Sequence, residues 1–76
     1  MENNRIGNLA EFRRWVKIRL VEKEISQNEL ARQMGIPHAR ISEATHGKQS
    51  GNKYIVPIIE KLDGDLNDFK EFLKAI

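Results

Sequence analysis

The feature that most constrains the fold is the stretch 26–47, in which signals for two short helices flank a signal for a tight turn. Ser26 is a favoured helix cap, and Glu29 three residues later completes a capping box, in which each residue bonds the other's backbone amide. Gly35 stands where the chain must turn, a position that suits a residue free to adopt positive φ. Helices this short are marginal in isolation, so the stretch requires a scaffold from the rest of the chain.

The second helix of this stretch is predicted from Pro37 to about His46. Proline is tolerated at a helix start because the first turn needs no N–H from it, and Gly47 then closes the helix. A short turn containing a glycine between two helices is typical of the helix-turn-helix motif. Apolar residues at helical spacing give both helices an inward face: Leu30, Ala31, Met34, Ile41 and Ala44.

Helical apolar stripes also flank the motif on both sides. Residues 9–24 predict a first helix and residues 54–62 a fourth, whose Pro57 either delays its start or removes one hydrogen bond from its first turn. Asp65 is placed to cap a last helix. The three stripes consist of Phe12, Trp15, Val16, Leu20, Tyr54, Ile55, Ile58, Ile59, Leu62, Leu66, Phe69, Phe72, Leu73 and Ile76.

Together these segments predict an all-α fold, a compact five-helix bundle with the helix-turn-helix at its centre. The chain of 76 residues suffices for one small domain, with the polar residues 1–8 as a flexible arm. It has no cysteine, so neither a disulfide nor a zinc–thiolate site is available to stabilise it. Without a signal-peptide pattern or a stretch approaching the ~20 apolar residues of a membrane span, we expect a cytoplasmic protein.

Charge is distributed unevenly along the chain, although the net charge is only +2. Residues 1–53 hold ten Lys or Arg and six Asp or Glu, giving +4, whereas residues 54–76 hold three and five, giving −2. A basic surface facing phosphates and an acidic surface turned away from them produce this pattern. Charge differences of this size also arise by chance, so the distribution supports nucleic-acid binding without establishing it.

The residues present do not support catalysis. His38 and His46 are eight positions apart, no apolar pocket is evident around them, and no glycine-rich phosphate-binding loop occurs. Two histidines and scattered carboxylates are also a poor donor set for a metal ion. We therefore expect no enzyme activity, no metal and no cofactor.

The spacing of residues within the motif is its most specific feature, and its members are Gln27, Ala31, Gly35, Ile41, Gly47 and Lys48. With this spacing the chain resembles the Xre/Cro family of phage-type repressors, over about residues 12–73 and best within the motif. The resemblance implies a lambda repressor-like fold and a small transcription regulator that binds double-stranded DNA sequence-specifically, by default as a repressor. It also implies a phage or mobile-element type of protein associated with the nucleoid.

In the helix-turn-helix docking mode, the N-terminal residues of the second helix meet base edges in the major groove. The resemblance places His38 and Ala39 at the first two base-reading positions and Glu43 at the third, with Arg40 and Ser42 able to reach bases or backbone. A histidine donates to guanine, and the methyl of Ala39 meets a thymine methyl. Glu43 either accepts from cytosine N4 or holds Arg40, and the sequence leaves both roles open.

Phosphate contacts are predicted next to the base-reading positions. The resemblance implies that Gln27, at the start of the first helix of the motif, bonds a phosphate with its side chain and amide. Many members of that family carry Ser or Thr in place of Pro37 and an aliphatic residue in place of Arg19. These departures predict the loss of one backbone contact at Pro37 and a different packing register for the first helix. The loop after the motif supplies further phosphate ligands: Lys48, Gln49, Asn52 and Lys53.

A monomer of this size reads only a few base pairs, so we expect a homodimer on a near-palindromic operator, with the reading helices about 34 Å apart. The predicted dimer interface is the C-terminal apolar face, formed by Phe69, Phe72, Leu73 and Ile76. The main alternative is a protein-interaction module with the same fold, such as an antirepressor or antitoxin. The modest net charge and the acidic Glu43 favour that alternative, and salt-dependent DNA binding separates the two.

Overall fold

A computed structural model describes residues 5–76 of the chain. Within that range the chain forms five α-helices, two 3-10 helices and no strand, which confirms the expected all-α, five-helix fold. The elements are α1 Leu9–Lys23, α2 Gln27–Met34, α3 His38–Thr45, a first 3-10 helix Gln49–Tyr54, α4 Ile55–Lys61, a second 3-10 helix Leu66–Phe69 and α5 Lys70–Lys74. None of the described helices is both long and apolar enough to cross a membrane.

The segment before α1 is packed onto the rest of the molecule. Ile6 lies in the core, and its N–H donates to the Asp68 carbonyl at 2.7 Å. Asn8 then caps α1 by accepting from the Glu11 N–H at 2.9 Å. The prediction of a flexible arm is therefore wrong for residues 5–8, because burial of Ile6 and these hydrogen bonds fix the backbone. Residues 1–4 of the predicted arm lie outside the described residues.

The core is centred on Phe12 of α1 and closed by aromatic residues from the end of the chain. The Phe12 ring stacks on Phe72 at 5.0 Å between centroids and meets Phe69 edge-on at 6.2 Å. Trp15 contacts the other side of Phe69, at 4.9 Å. Aromatic pairs in these orientations add to the free energy of burial, so the C-terminal segment is part of the monomer's core.

This packing corrects the predicted dimer interface. Phe69 and Phe72 are 1% and 3% exposed, and Leu73 is half-buried against the same core. Ile76 is the only one of the four predicted interface residues whose side chain is largely exposed. Because the core already covers these aromatic side chains, the C-terminal face is not a free apolar surface for a second subunit.

The region between α3 and α4 differs in detail from the predicted single helix over 54–62. A 3-10 helix, Gln49–Tyr54, precedes α4, and Pro57 is the third residue of α4. A proline in the first turn removes an N–H that has no intrahelical acceptor in any case. The predicted last helix is likewise divided, because Asp65 caps a 3-10 turn by accepting from the Asn67 N–H at 2.9 Å, and α5 follows it.

Candidate nucleic-acid interface

The two helices of the motif are joined as the sequence predicts. Ser26 accepts from the Glu29 N–H at 3.0 Å, and Gly35 ends α2 with a φ of 70°. The Ile36 N–H then donates to the Ala31 carbonyl at 3.1 Å, which closes the turn. Ala31 is 3% exposed, in keeping with a small residue where α2 and α3 meet.

Only half of the predicted capping box forms. The carboxylate of Glu29 accepts from Arg32 Nε at 3.1 Å and from Gln33 Nε2 at 3.1 Å, both on the same helix. The hydrogen bond from Arg32 and then the one from Gln33 lower the pKa of Glu29 below its ordinary value of 4.5. The Glu29 carboxylate therefore accepts from side chains on the surface of α2 and not from the Ser26 backbone N–H.

The N-terminal turn of α3 is exposed to solvent. Pro37 precedes it in extended backbone without a side-chain cap, as expected for a residue with neither hydroxyl nor amide hydrogen. His38 and Ala39 are exposed, whereas Ile41 and Ala44 are fully buried against the support. The predicted division of α3 into an outward and an inward face is thus present in the structure.

The starts of α2 and α3 lie side by side. Gln27 Nε2 is 3.3 Å from His38 Nε2, so the first residue of α2 contacts the first residue of α3. The amide nitrogen donates when His38 Nε2 is unprotonated, and both side chains remain at the surface. The structure therefore brings one predicted phosphate ligand and one predicted base-reading residue together.

The other flank of α3 carries a polar cluster that spans two elements. Arg40 Nη1 donates to Glu43 Oε1 at 2.9 Å, and Ser50 Oγ of the first 3-10 helix donates to the same oxygen at 2.9 Å. These two hydrogen bonds, with that from Ser50 the larger cause, lower the pKa of Glu43, while the Glu43 carboxylate raises the pKa of Arg40. Of the two roles left open for Glu43, the structure shows the contact with Arg40.

The remaining predicted site residues surround this cluster. Ser42 is half-buried, and its carbonyl accepts from Thr45 Oγ1 at 3.0 Å and lies 2.8 Å from His46 Nδ1. Lys48, Gln49 and Lys53 are exposed, whereas Asn52 is half-buried. The predicted base-reading and phosphate-binding residues therefore lie on α3, at the start of α2 and on the first 3-10 helix, with Lys48 directly before that 3-10 helix.

Gly51 fixes the first 3-10 helix against α3. A Cβ atom at Gly51 would lie 2.3 Å from the Ala44 nitrogen and 2.6 Å from the Glu43 carbonyl carbon, so the two backbones touch at this point. The absence of a side chain here is what allows Ser50 to reach Glu43. Neither Ser50 nor Gly51 was singled out by the sequence, because a contact between backbones leaves no periodic or compositional signal.

Two arginines of α1 have structural partners that the sequence did not indicate. Arg13 Nη1 donates to the Thr45 carbonyl at the end of α3, at 3.3 Å, and Arg19 Nε donates to the Leu62 carbonyl after α4, at 3.0 Å. Both groups satisfy carbonyls that lack an intrahelical donor. Their partners lie 32 and 43 residues away in the chain, so no local sequence pattern indicates them.

In comparisons with family models, curated proteins and solved structures, no match to this chain was found. The Xre/Cro resemblance therefore remains a prediction based on the motif. Among residues 5–76, no cluster of His, Cys, Asp and Glu is arranged to hold a metal ion.

Proposed function

We propose that the protein binds double-stranded DNA sequence-specifically, as a small transcription regulator of phage or mobile-element type that acts as a repressor. The observation that carries the proposal is the outward N-terminal turn of α3, where His38 and Ala39 are exposed while Ile41 and Ala44 anchor the helix. This is the arrangement by which a second helix enters a major groove. Such a protein acts at the nucleoid.

Residues next to α3 supply the chemistry for the DNA backbone. Gln27 lies beside His38 on one flank, and the exposed Lys48 and Lys53 belong to the segment packed on the other. Lysine side chains and the amide groups at the start of α2 are suitable ligands for phosphate oxygens. Phosphate contacts on both flanks would fix the position of α3 along the groove.

We infer that two copies act on a near-palindromic operator, because a module of this size reads too few base pairs to discriminate alone. The interface lies elsewhere than on Phe69 and Phe72, which the core covers. Sedimentation of the free protein and of its complex with an operator duplex tests this inference. Two subunits on each duplex are expected, and a single subunit on a fully occupied operator overturns the dimer.

The direct test of DNA binding is enrichment of bound fragments from a random duplex library, followed by titration of the selected duplex at several salt concentrations. Specific binding with an affinity that falls steeply with salt is expected, because phosphate contacts release counterions. Absence of binding to any duplex at low salt would contradict the proposal and favour the protein-interaction alternative.

Variants of Lys48 and His38 separate phosphate binding from base reading. The change Lys48→Ala is expected to weaken binding to selected and random duplexes alike. It should also reduce the slope of log affinity against log salt concentration by about 1. Lys74→Ala, which removes the same charge from α5, is the matched control and should leave the slope unchanged.

The change His38→Ala is expected to lower the preference for the selected duplex over random DNA more than it lowers general affinity. The reason is that contacts to base edges carry sequence information, whereas contacts to phosphate do not. Unchanged selectivity in this variant would show that the assigned register of α3 is wrong.

A further inference from the structure

Arg40 occupies the third position of α3, and its guanidinium is held by a carboxylate of the same helix. Arg40 Nη1 lies 2.9 Å from Glu43 Oε1, and the Arg40 side chain is 40% exposed against 24% for Glu43. The arginine therefore reaches further into solvent than the group that holds it. The neighbouring Tyr54 side chain also interacts with this guanidinium. An arginine carries five N–H donors in a planar fork, so donors remain for a ligand besides those that face Glu43 and Tyr54.

Glu43 is itself fixed from a second element. Ser50 Oγ donates to the same oxygen that accepts from Arg40, at 2.9 Å, and the adjacent Gly51 packs directly on the α3 backbone. Both hydrogen bonds favour the ionised carboxylate, so Glu43 stays charged at neutral pH. The Glu43 carboxylate, fixed by Ser50, is therefore suited to orienting the Arg40 guanidinium.

A second arginine of the motif shows what distinguishes Arg40. Arg32 also pairs with a glutamate three residues away, Glu29, but its side chain is 77% exposed and the partners of that glutamate, Arg32 and Gln33, lie on the same helix. The Arg40–Glu43 pair, in contrast, is hydrogen-bonded to the first 3-10 helix through Ser50. Pre-organisation of this kind lowers the entropy lost when a side chain binds.

We propose that Arg40 reads a guanine in the major groove and that Glu43, with Ser50, positions its guanidinium and does not itself read a cytosine. Two free N–H donors of an arginine match the O6 and N7 acceptors of guanine, which is the commonest specific contact of arginine with DNA. The carboxylate near DNA is tolerated because its charge is paired with Arg40. This inference deepens the proposed function and depends on it.

The experiment uses the duplex enriched by the wild-type protein and replaces each G·C pair of a half-site in turn by A·T. For the wild type, one guanine is expected whose replacement weakens binding roughly 5- to 150-fold. In Arg40→Ala the loss at that position should shrink to less than about 2-fold, since the reader is gone. Arg32→Ala removes an arginine that also pairs with a glutamate three residues away but lies on α2, and this variant should retain the full guanine preference.

The positioning role is tested with Glu43→Gln, Ser50→Ala and Ser50→Thr. Glu43→Gln and Ser50→Ala are expected to reduce the preference for the same guanine. Ser50→Thr keeps the hydroxyl and is expected to retain that preference. Thermal unfolding of each variant establishes that it is folded, and a general loss of structure would lower affinity for all duplexes alike without a change confined to one base pair.

Two results overturn the inference while leaving DNA binding intact. One is a guanine preference that persists in Arg40→Ala. The other is a Glu43→Gln variant that keeps the guanine preference and loses discrimination at a cytosine, which would make Glu43 the reader. Failure to enrich any duplex is a different outcome, because it overturns the proposed function and this inference with it.

Discussion

The helices α2 and α3 have the same length but are held in place in different ways. Hydrogen bonds within the residues 26–36 complete both ends of α2, through the Ser26 cap and the Gly35 turn. In contrast, α3 begins after an uncapped proline and depends on distant elements, through Arg13 at its end and Gly51 along its side. Local hydrogen bonds thus define the ends of α2, whereas tertiary contacts hold α3 in place.

This difference matters for the proposed function because α3 is the helix that would read DNA. A helix with an uncapped N-terminus exposes amide groups and side chains that a ligand requires. The cost is a less stable helix, which packing against the first 3-10 helix and α1 offsets. Substitutions that alter α2 or α3 separately, followed by denaturant unfolding, test this difference.

The largest effect is expected for Gly51→Ala. The new Cβ would overlap the Ala44 nitrogen at 2.3 Å, and backbone atoms on both sides prevent relief by a rotamer change. We expect a loss of about 3 kcal/mol or more in the free energy of unfolding. The matched control is Gly35→Ala, where φ is 70° but no atom lies within 4 Å, so only dihedral strain of about 1–2 kcal/mol is expected. Equal losses would contradict the backbone contact.

The next largest effect is expected for Ser26→Ala. Loss of the hydrogen bond to the Glu29 N–H should lower the free energy of unfolding by about 1 kcal/mol. Pro37→Ala is the counterpart at α3 and removes no capping bond, because Pro37 makes none. The greater freedom of the unfolded chain alone should cost Pro37→Ala about 0.4–1 kcal/mol, so only a cost clearly above that range would show that the two helix starts are not distinct.

The third expected effect concerns acid stability. Glu29 and Glu43 have pKa values lowered from 4.5, so their contribution to stability is present above that pH and is lost as the pH falls through the folded-state value. Glu43→Gln should therefore flatten the decline in stability between about pH 6 and pH 3. Glu29→Gln should flatten it less, because the partners of Glu29 lie on its own helix and persist better in the unfolded chain. The reverse order would contradict this difference.

The smallest effect is expected for Pro37→Ser, which supplies α3 with the cap it lacks. A gain of about 1 kcal/mol from the cap is opposed by about 0.4–1 kcal/mol from the greater freedom of the unfolded chain. The net change in stability should stay within about 0.5 kcal/mol. A much larger gain in the free energy of unfolding would mean that the missing cap is the main weakness of α3 and that tertiary contacts do not compensate for it.

Residues with a local signal were predicted well, and residues with distant partners were not. The helical spacing of Phe12, Val16 and Leu20 identified the buried face of α1, and Ile41 and Ala44 that of α3. The apolar face at the chain end was recognised too, but periodicity does not show what covers a face. Phe69 and Phe72 were therefore assigned to a dimer, although the chain's own core buries them.

The sequence by itself determined the helices, the turn at Gly35 and the inward and outward faces of α3, because capping, positive φ and apolar periodicity act over a few residues. Only the tertiary structure decided that Ile6 enters the core, that Gly51 touches α3 and that Ser50 holds Glu43. Each of these contacts joins elements that loops separate. Their geometry depends on how the whole core packs, which no short stretch of sequence specifies.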